Sequence, residues 1–221
     1  MPTDEKSSLG RRSDGKVKTA EDFSSPPSDY NVVVPDSWFQ LSLDPEERDR
    51  CIVALADRQF RGLDNAPHLK EQFKRDLQAK AKEAYRVGGT ELYLSTLVVG
   101  PVPLASSLLI SIPAAGEWPD LSDPEELAEH LAGVRGPASS DGEISVVTLA
   151  VAGRAVRQLR RAEADPDAQM GNTLPTTTVT YYVPIPATKR WLMLNFSTPI
   201  DPLADQLVQL FDVVAGTLHW A

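Results

Sequence analysis

Residues 188–199, with the sequence TKRWLMLNFSTP, decide the class of fold. Successive side chains of an extended strand point to opposite faces. The stretch places apolar side chains on both of them, Leu192, Leu194 and Phe196 on one face and Trp191 and Met193, with Asn195, on the other. It therefore predicts a central strand of a sheet that is covered on both sides.

Lys189 and Arg190 precede this strand, and we expect them in a solvated turn, since long cations are mostly exposed. The segment TTTVTYYVP at 176–184 is rich in β-branched and aromatic residues and predicts the partner strand of a hairpin. Further hairpins are predicted from ELYLSTLVVGPVPLASSLLISIP at 91–113 and EISVVTLAVAGRAVRQLRR at 143–161. In the latter, Arg154–Arg161 could instead form a short helix, although a strand is favoured.

Helices are predicted where Asp-Pro pairs open runs of apolar residues at helical spacing. Asp44 is expected to cap the first helix with a reciprocal bond from Glu47, and Asp201 to cap the last. A second helix should start at Asn65, and a third after Ser122 or Asp123. The buried stripes are predicted to be Ile52, Leu55, Ala56 and Phe60; Leu69, Phe73, Leu77 and Ala84; Leu127, Leu131 and Val134; and Leu203, Leu207, Leu210, Phe211, Val214 and Leu218.

These elements predict an α+β fold, in which helices pack on an antiparallel sheet of about six to seven strands. The first element along the chain is the segment NVVVPDSWFQLSL at 31–43, which predicts a broken strand or a strand with a turn. Residues 1–30 are polar and rich in Ser, Pro and Gly, which predicts a disordered tail before one domain at 31–221.

Composition and charge disfavour several classes of function. A net charge of −9 and a pI near 4.8 disfavour binding to nucleic acid or anionic lipid. No apolar run is long enough for a membrane span, and the N-terminal residues lack the apolar core of a signal peptide. Cys51 is the only cysteine, so no internal disulfide can form. We expect a cytoplasmic protein, with signal-independent export left open.

The sequence contains no phosphate-binding loop, no nucleophile elbow and no metal-binding helix motif. His68, His130 and His219 lie in three different predicted helices, and Cys51 falls on an apolar stripe where a thiol packs as a small apolar side chain. We therefore expect no cofactor, no metal and no catalytic residue.

One cluster of cations stands out in this acidic chain. Guanidinium groups can bind carboxylate or phosphate in bidentate fashion. The hypothesis is a partner- or anion-binding patch made of Arg154, Arg157, Arg160, Arg161, Lys189 and Arg190. The alternative is an ordinary solvated face.

The element order resembles the PsbP-like fold, on the evidence of VVVPDSW at 32–38, the paired helices before the first hairpin, and DQLVQLFDVVAGTLHW at 205–220. The segments LAVAGRAVR, YYVPIPATKRWLMLNFSTP and FDVVAGTLHW also look like those of uncharacterised actinobacterial proteins. The resemblance implies an α/β/α sandwich and an accessory, assembly or binding role without a shared catalytic site.

The expected function is that of a non-enzymatic adaptor or assembly factor with a protein partner. Its oligomeric state stays open. The alternative is a module or enzyme that binds a small anionic ligand between sheet and helices, with Arg157, Arg190 or Tyr182 orienting it.

Overall fold

The computed structural model describes residues 19–62, 67–99, 102–114, 116, 118–133, 142–164 and 174–221. The strands within these ranges are β1 (Tyr30–Asn31), β2 (Trp38–Ser42), β3 (Gly89–Ser95), β4 (Val98–Val99), β5 (Val102–Pro103), β6 (Ser107–Ser111), β7 (Glu143–Leu149), β8 (Gly153–Ala162), β9 (Thr176–Pro184), β10 (Trp191–Thr198) and β11 (His219–Trp220). The α-helices are α1 (Pro45–Gln59), α2 (Pro67–Arg86), α3 (Pro124–Gly133) and α4 (Ala204–Gly216).

Seven strands form one antiparallel sheet in the order β2-β3-β6-β10-β9-β8-β7. The predicted α+β class is confirmed. The strand β10 occupies the fourth place in the sheet and is paired on both sides. The apolar side chains on both of its faces predicted this central position. The segment from Arg154 to Arg161 belongs to β8, so it is a strand and not a helix.

Helices cover both faces of the sheet. On one face, which we call the α4 face, Leu192, Leu194 and Phe196 pack with Phe211 of α4. On the opposite face, α1 and α2 cover the half of the sheet that begins with β2, and their contact is formed by buried Leu41, Ile52, Leu55 and Leu77. The helix α3 covers the other half through Leu127, which packs on Val156, Tyr182 and Trp191.

Two of the predicted helix caps differ from those in the structure. The Asp44 side chain caps α1 by accepting from the amide of Glu46 at 2.8 Å, but no reciprocal bond to Glu47 occurs among the described contacts. The Asp44 amide instead donates to Ser42 Oγ at 3.3 Å. Asp201 does not cap α4. It begins a 3-10 turn over Asp201–Leu203, and α4 starts after that turn without a side-chain cap.

The described residues of the predicted stripes are buried or half-buried, with two exceptions. Leu69 of α2 is 48% exposed and Leu203 is 37% exposed, so both predictions of burial were wrong. Leu69 lies in the first turns of α2, and Leu203 lies in the 3-10 turn, whose rotation per residue differs from that of an α-helix. Asn65 and Val134 lie outside the described residues.

The predicted tail is described only from residue 19 onward. The Ala20 amide donates to the Val151 carbonyl at 3.3 Å, and Ala20 and Phe23 pack against the core of the α4 face. In β1, Tyr30 pairs with Trp220 of β11. Contacts with the domain thus begin before residue 31, where the sequence placed its boundary.

Candidate functional site

The four arginines of β8 do not converge, because a strand sends alternate side chains to opposite faces. Arg157 and Arg161 face α4, where they pair with Asp212 and Asp205. Arg154 and Arg160 point to the face that carries α3, and Arg154 pairs with Glu125 of that helix. The predicted patch is therefore divided between two sides of the sheet.

Arg157 makes a bidentate contact with Asp212. Its Nε and Nη2 donate to the two carboxylate oxygens of Asp212 at 3.0 and 3.2 Å, and Tyr181 Oη donates to Asp212 Oδ1 at 2.5 Å. Burial disfavours the charge on Arg157, but the bonds to Asp212 and Tyr181 outweigh it and raise the pKa of Arg157 above its ordinary value. This cluster fixes α4 to β8 and β9.

The other predicted site residues also lie apart. Arg161 donates to Asp205 at 2.5 Å, and Lys189 donates to Asp120 at 3.0 Å, with side chains 70% and 74% exposed in the second pair. With its amide oriented to satisfy both ends, Gln158 accepts from Arg160 at 2.9 Å and donates to Tyr182 Oη at 3.0 Å. In each of these pairs the cation is bound to a carboxylate or an amide of its own chain, and Arg190 is exposed in the turn between β9 and β10.

A cavity of about 410 Å³ lies between the sheet and the first two helices. Its apolar walls come from Leu55 of α1, Phe73 and Leu77 of α2, and Leu94 of β3. Its polar lining residues are Gln59, Asp76, Lys80, Ser95, Thr96 and Ser106. The volume falls within the range of small-ligand pockets, roughly 300–1,000 Å³. Arg157, Arg190 and Tyr182 do not line it.

A small apolar arm begins at this cavity. The arm consists of Leu97 with the two-stranded ribbon β4-β5, and Thr96 and Ala105, which line the cavity, flank it in the chain. Leu97 is 43% exposed and Val98 is 52% exposed. Hairpin ends are usually polar, so the run LVVGPVP at 97–103 is the sequence signal that could have identified this surface.

Two smaller polar cavities, of about 310 and 290 Å³, meet at Gln40 and Glu91 near the β2 edge of the sheet. The Glu91 carboxylate accepts from Gln40 Nε2 at 3.0 Å and from Tyr93 Oη. Burial, with the neighbouring Glu91, raises the pKa of Tyr30 and of Tyr93. The first of the two cavities is also lined by Cys51, and no histidine lines either one.

A stacked aromatic pair lies under α3. The rings of Trp118 and Tyr182 are 5.5 Å apart and inclined by 21°. Trp118 Nε1 is buried and donates to no described atom. Trp191, by contrast, donates from Nε1 to the Leu121 carbonyl at 2.8 Å, which ties the segment before α3 to the central strand.

Two absences hold for the residues that the structure describes. No group of three or more His, Cys, Asp or Glu side chains there is placed to hold a metal ion. None of the helices is both long enough and apolar enough to cross a membrane.

Comparisons with known proteins show a likeness in architecture. The chain is similar to LpqN of Mycobacterium tuberculosis, whose structure is described as that of a protein involved in cell envelope biogenesis, with 16% identity over 89% of this chain and 86% of that chain and a TM-score of 0.44. No family model matches the chain. No curated protein matches it either. The PsbP-like assignment stays a prediction.

Proposed function

We propose that this protein is a non-enzymatic accessory protein that binds a protein partner through the arm and the adjoining cavity. The observation that carries this proposal is the exposure of Leu97 and Val98 beside a cavity with apolar walls. Exposed apolar groups next to a concave apolar surface are the usual anatomy of an interface centre. A cytoplasmic location is part of the same proposal.

The chemistry of the surface favours a partner segment with apolar side chains. The walls of the cavity offer Leu55, Phe73 and Leu94, while Asp76 and Lys80 supply one charge of each sign among its lining residues. A fully desolvated apolar anchor in such a pocket dominates binding, and the polar residues around it set the orientation. The six cations of the predicted patch are not needed for this mode of binding.

The experiment places a photo-crosslinking amino acid at Ala105, which is exposed at the cavity, and identifies what it captures in the native host. The captured partner is then titrated against Leu97→Asp and Val98→Asp. We expect at least about tenfold weaker binding, which corresponds to about 1.4 kcal/mol. Val213→Asp is the matched control, because Val213 is 67% exposed on α4, on the other side of the sheet.

Unchanged affinity in both arm variants would contradict the proposal. So would an equal loss in Val213→Asp, since that result would indicate a general effect of charge. Binding that fails only in Arg154→Ala or Arg190→Ala would restore the patch of cations as the site.

A second function is favoured by the volume and lining of the same cavity: binding of a small apolar ligand. Ligands that bind only the folded state raise the melting temperature by mass action. A thermal-shift screen should then find stabilisation by apolar compounds, and Ala105→Trp should abolish it by covering the cavity. Stabilisation by anionic compounds that persists in Ala105→Trp would place a ligand site elsewhere.

A further inference from the structure

The two outer strands of the sheet differ in how their edges are protected. An outer strand presents unpaired amide and carbonyl groups, and proteins usually blunt such edges with charges, prolines, bulges or short length. At the β2 edge, the strand has five residues, with Pro35 shortly before it and Asp44 and Pro45 shortly after it. This edge is short and carries the usual breaks.

The β7 edge has none of these protections. The strand Glu143–Leu149 runs for seven residues, pairs with β8 without a register shift, and has its single charge at the first position. It contains neither proline nor lysine, and four of its residues are β-branched. Within the described ranges, no strand pairs with its outer side.

We propose that β7 pairs with β7 of a second copy of this chain, so that two seven-stranded sheets join across a two-fold axis. Antiparallel pairing centred on Val146 overlaps the whole strand, about 24 Å of backbone at the usual rise per residue. A closed two-fold contact of this kind uses the same surface on both copies.

The pattern of charge and side chains suits this self-pairing. Glu143 would lie opposite Leu149 of the second copy, so the two glutamates stay at opposite ends and no like charges meet. Ile144 would lie opposite Thr148 of the second copy, and Val146 opposite its own equivalent. Cross-strand pairs of β-branched residues stabilise antiparallel sheets. A second copy of β7 brings the same uncharged, β-branched residues to the edge, whereas a strand of an unrelated protein would have this pattern only by chance.

Net charge opposes the association. Each copy carries −9, and this repulsion is screened as ionic strength rises. Dimerisation through a neutral edge should therefore strengthen with added salt, whereas a dimer held by ion pairs would weaken.

The first test measures the mass of the full chain in solution by sedimentation over a concentration series at low and high salt. We expect a monomer–dimer equilibrium that shifts toward dimer at high salt. Thr148→Glu places a charge at an exposed edge position beside Arg154, which supports the monomer fold, and should raise the dissociation constant at least about tenfold. Val213→Glu adds the same charge away from the edge and should leave it unchanged.

The second test fixes the register. In a Cys51→Ser background, Val146→Cys should form an intermolecular disulfide, because directly opposite residues on an axis lie about 4.5–5.5 Å apart. Thr148→Cys should not, since its equivalent would lie roughly 13 Å away along the strands. A wild-type monomer at every concentration overturns the proposal, and so does a dimer that is insensitive to Thr148→Glu and lacks the Val146→Cys cross-link.

Discussion

Arg157 and Asp212 form a bidentate ion pair, at 3.0 and 3.2 Å, between the sheet and the last helix. The Arg157 side chain is 13% exposed, so its charge depends on this partner. What the sequence suggested as an anion-binding cation is thus bound to a carboxylate of its own chain. The pair holds α4 against β8, so its removal should lower the free energy of unfolding.

We predict that Asp212→Asn lowers the free energy of unfolding by about 1–2 kcal/mol, because the largely buried Arg157 guanidinium loses its counter-ion and Tyr181 loses its charged acceptor. Asp205→Asn is the matched control. Asp205 pairs with Arg161 but is 75% exposed, and the loss should stay below about 1 kcal/mol. Urea denaturation measures both, and equal losses would contradict this role of the pair.

We predict that stability falls steeply in alkaline solution. Burial, followed by the bond to Asp212, raises the pKa of Tyr181, so the folded state retains a proton that the unfolded state releases. The contribution is fully present below the unfolded pKa of about 10 and is lost as pH rises toward the folded value, at about 1.4 kcal/mol per pH unit for one tyrosine. Denaturant titration along the pH axis measures the slope, which Tyr181→Phe should reduce. An unchanged slope in that variant would contradict the assignment.

We predict that the capping aspartates are not equivalent. Asp44→Ala should cost about 1 kcal/mol, because it removes the acceptor for the Glu46 amide. Asp201→Ala should cost a few tenths at most, since Asp201 makes no cap bond to α4. Thermal unfolding of the two variants compares them directly, and a larger loss for Asp201→Ala than for Asp44→Ala would contradict this account.

We predict that Gly88→Ala is more harmful than Gly62→Ala. Both glycines have positive φ, +82° and +81°, so both variants carry the strain of a left-handed residue, about 1–2 kcal/mol. At Gly88 a Cβ would also lie 2.7 Å from the Ile112 carbonyl oxygen, whereas at Gly62, setting aside the residues next to it in the chain, no atom of the described residues lies within 4 Å of that position. The collision should add about 1–3 kcal/mol. Equal melting temperatures for the two variants would contradict this account.

The sheet was predictable because its signals are local and repeated. The apolar residues on both faces of β10 identify a covered central strand from their spacing alone, and Gly153, with φ of +89°, marks the turn between β7 and β8. The order of the strands required more, because β6 and β10 meet across a long stretch of chain. Short-range patterns contain no information about that pairing.

The candidate sites were less predictable, because opposite charges find one another only in the folded state. Arg157 and Asp212 are 55 residues apart in the chain, and neither position alone indicates the pair. The cavity between α2 and β3 depends on how closely two elements approach, which their periodicities do not specify. The β-rich run that contains Leu97 and Val98 predicts only a hairpin, because the exposure of these two side chains is a property of the folded chain.

The strand order also bears on how the chain folds. The strands β2, β3 and β6 make one antiparallel group, and β7 to β10 make another; the single ladder between β6 and β10 joins them. Within each group, strands that are close in the chain can pair early. The pairing of β6 with β10 joins segments that are far apart in the chain, so it costs more chain entropy and is expected to form later. Folding is then expected to proceed through two separately collapsed halves, with the central ladder as the last to acquire protection from hydrogen exchange.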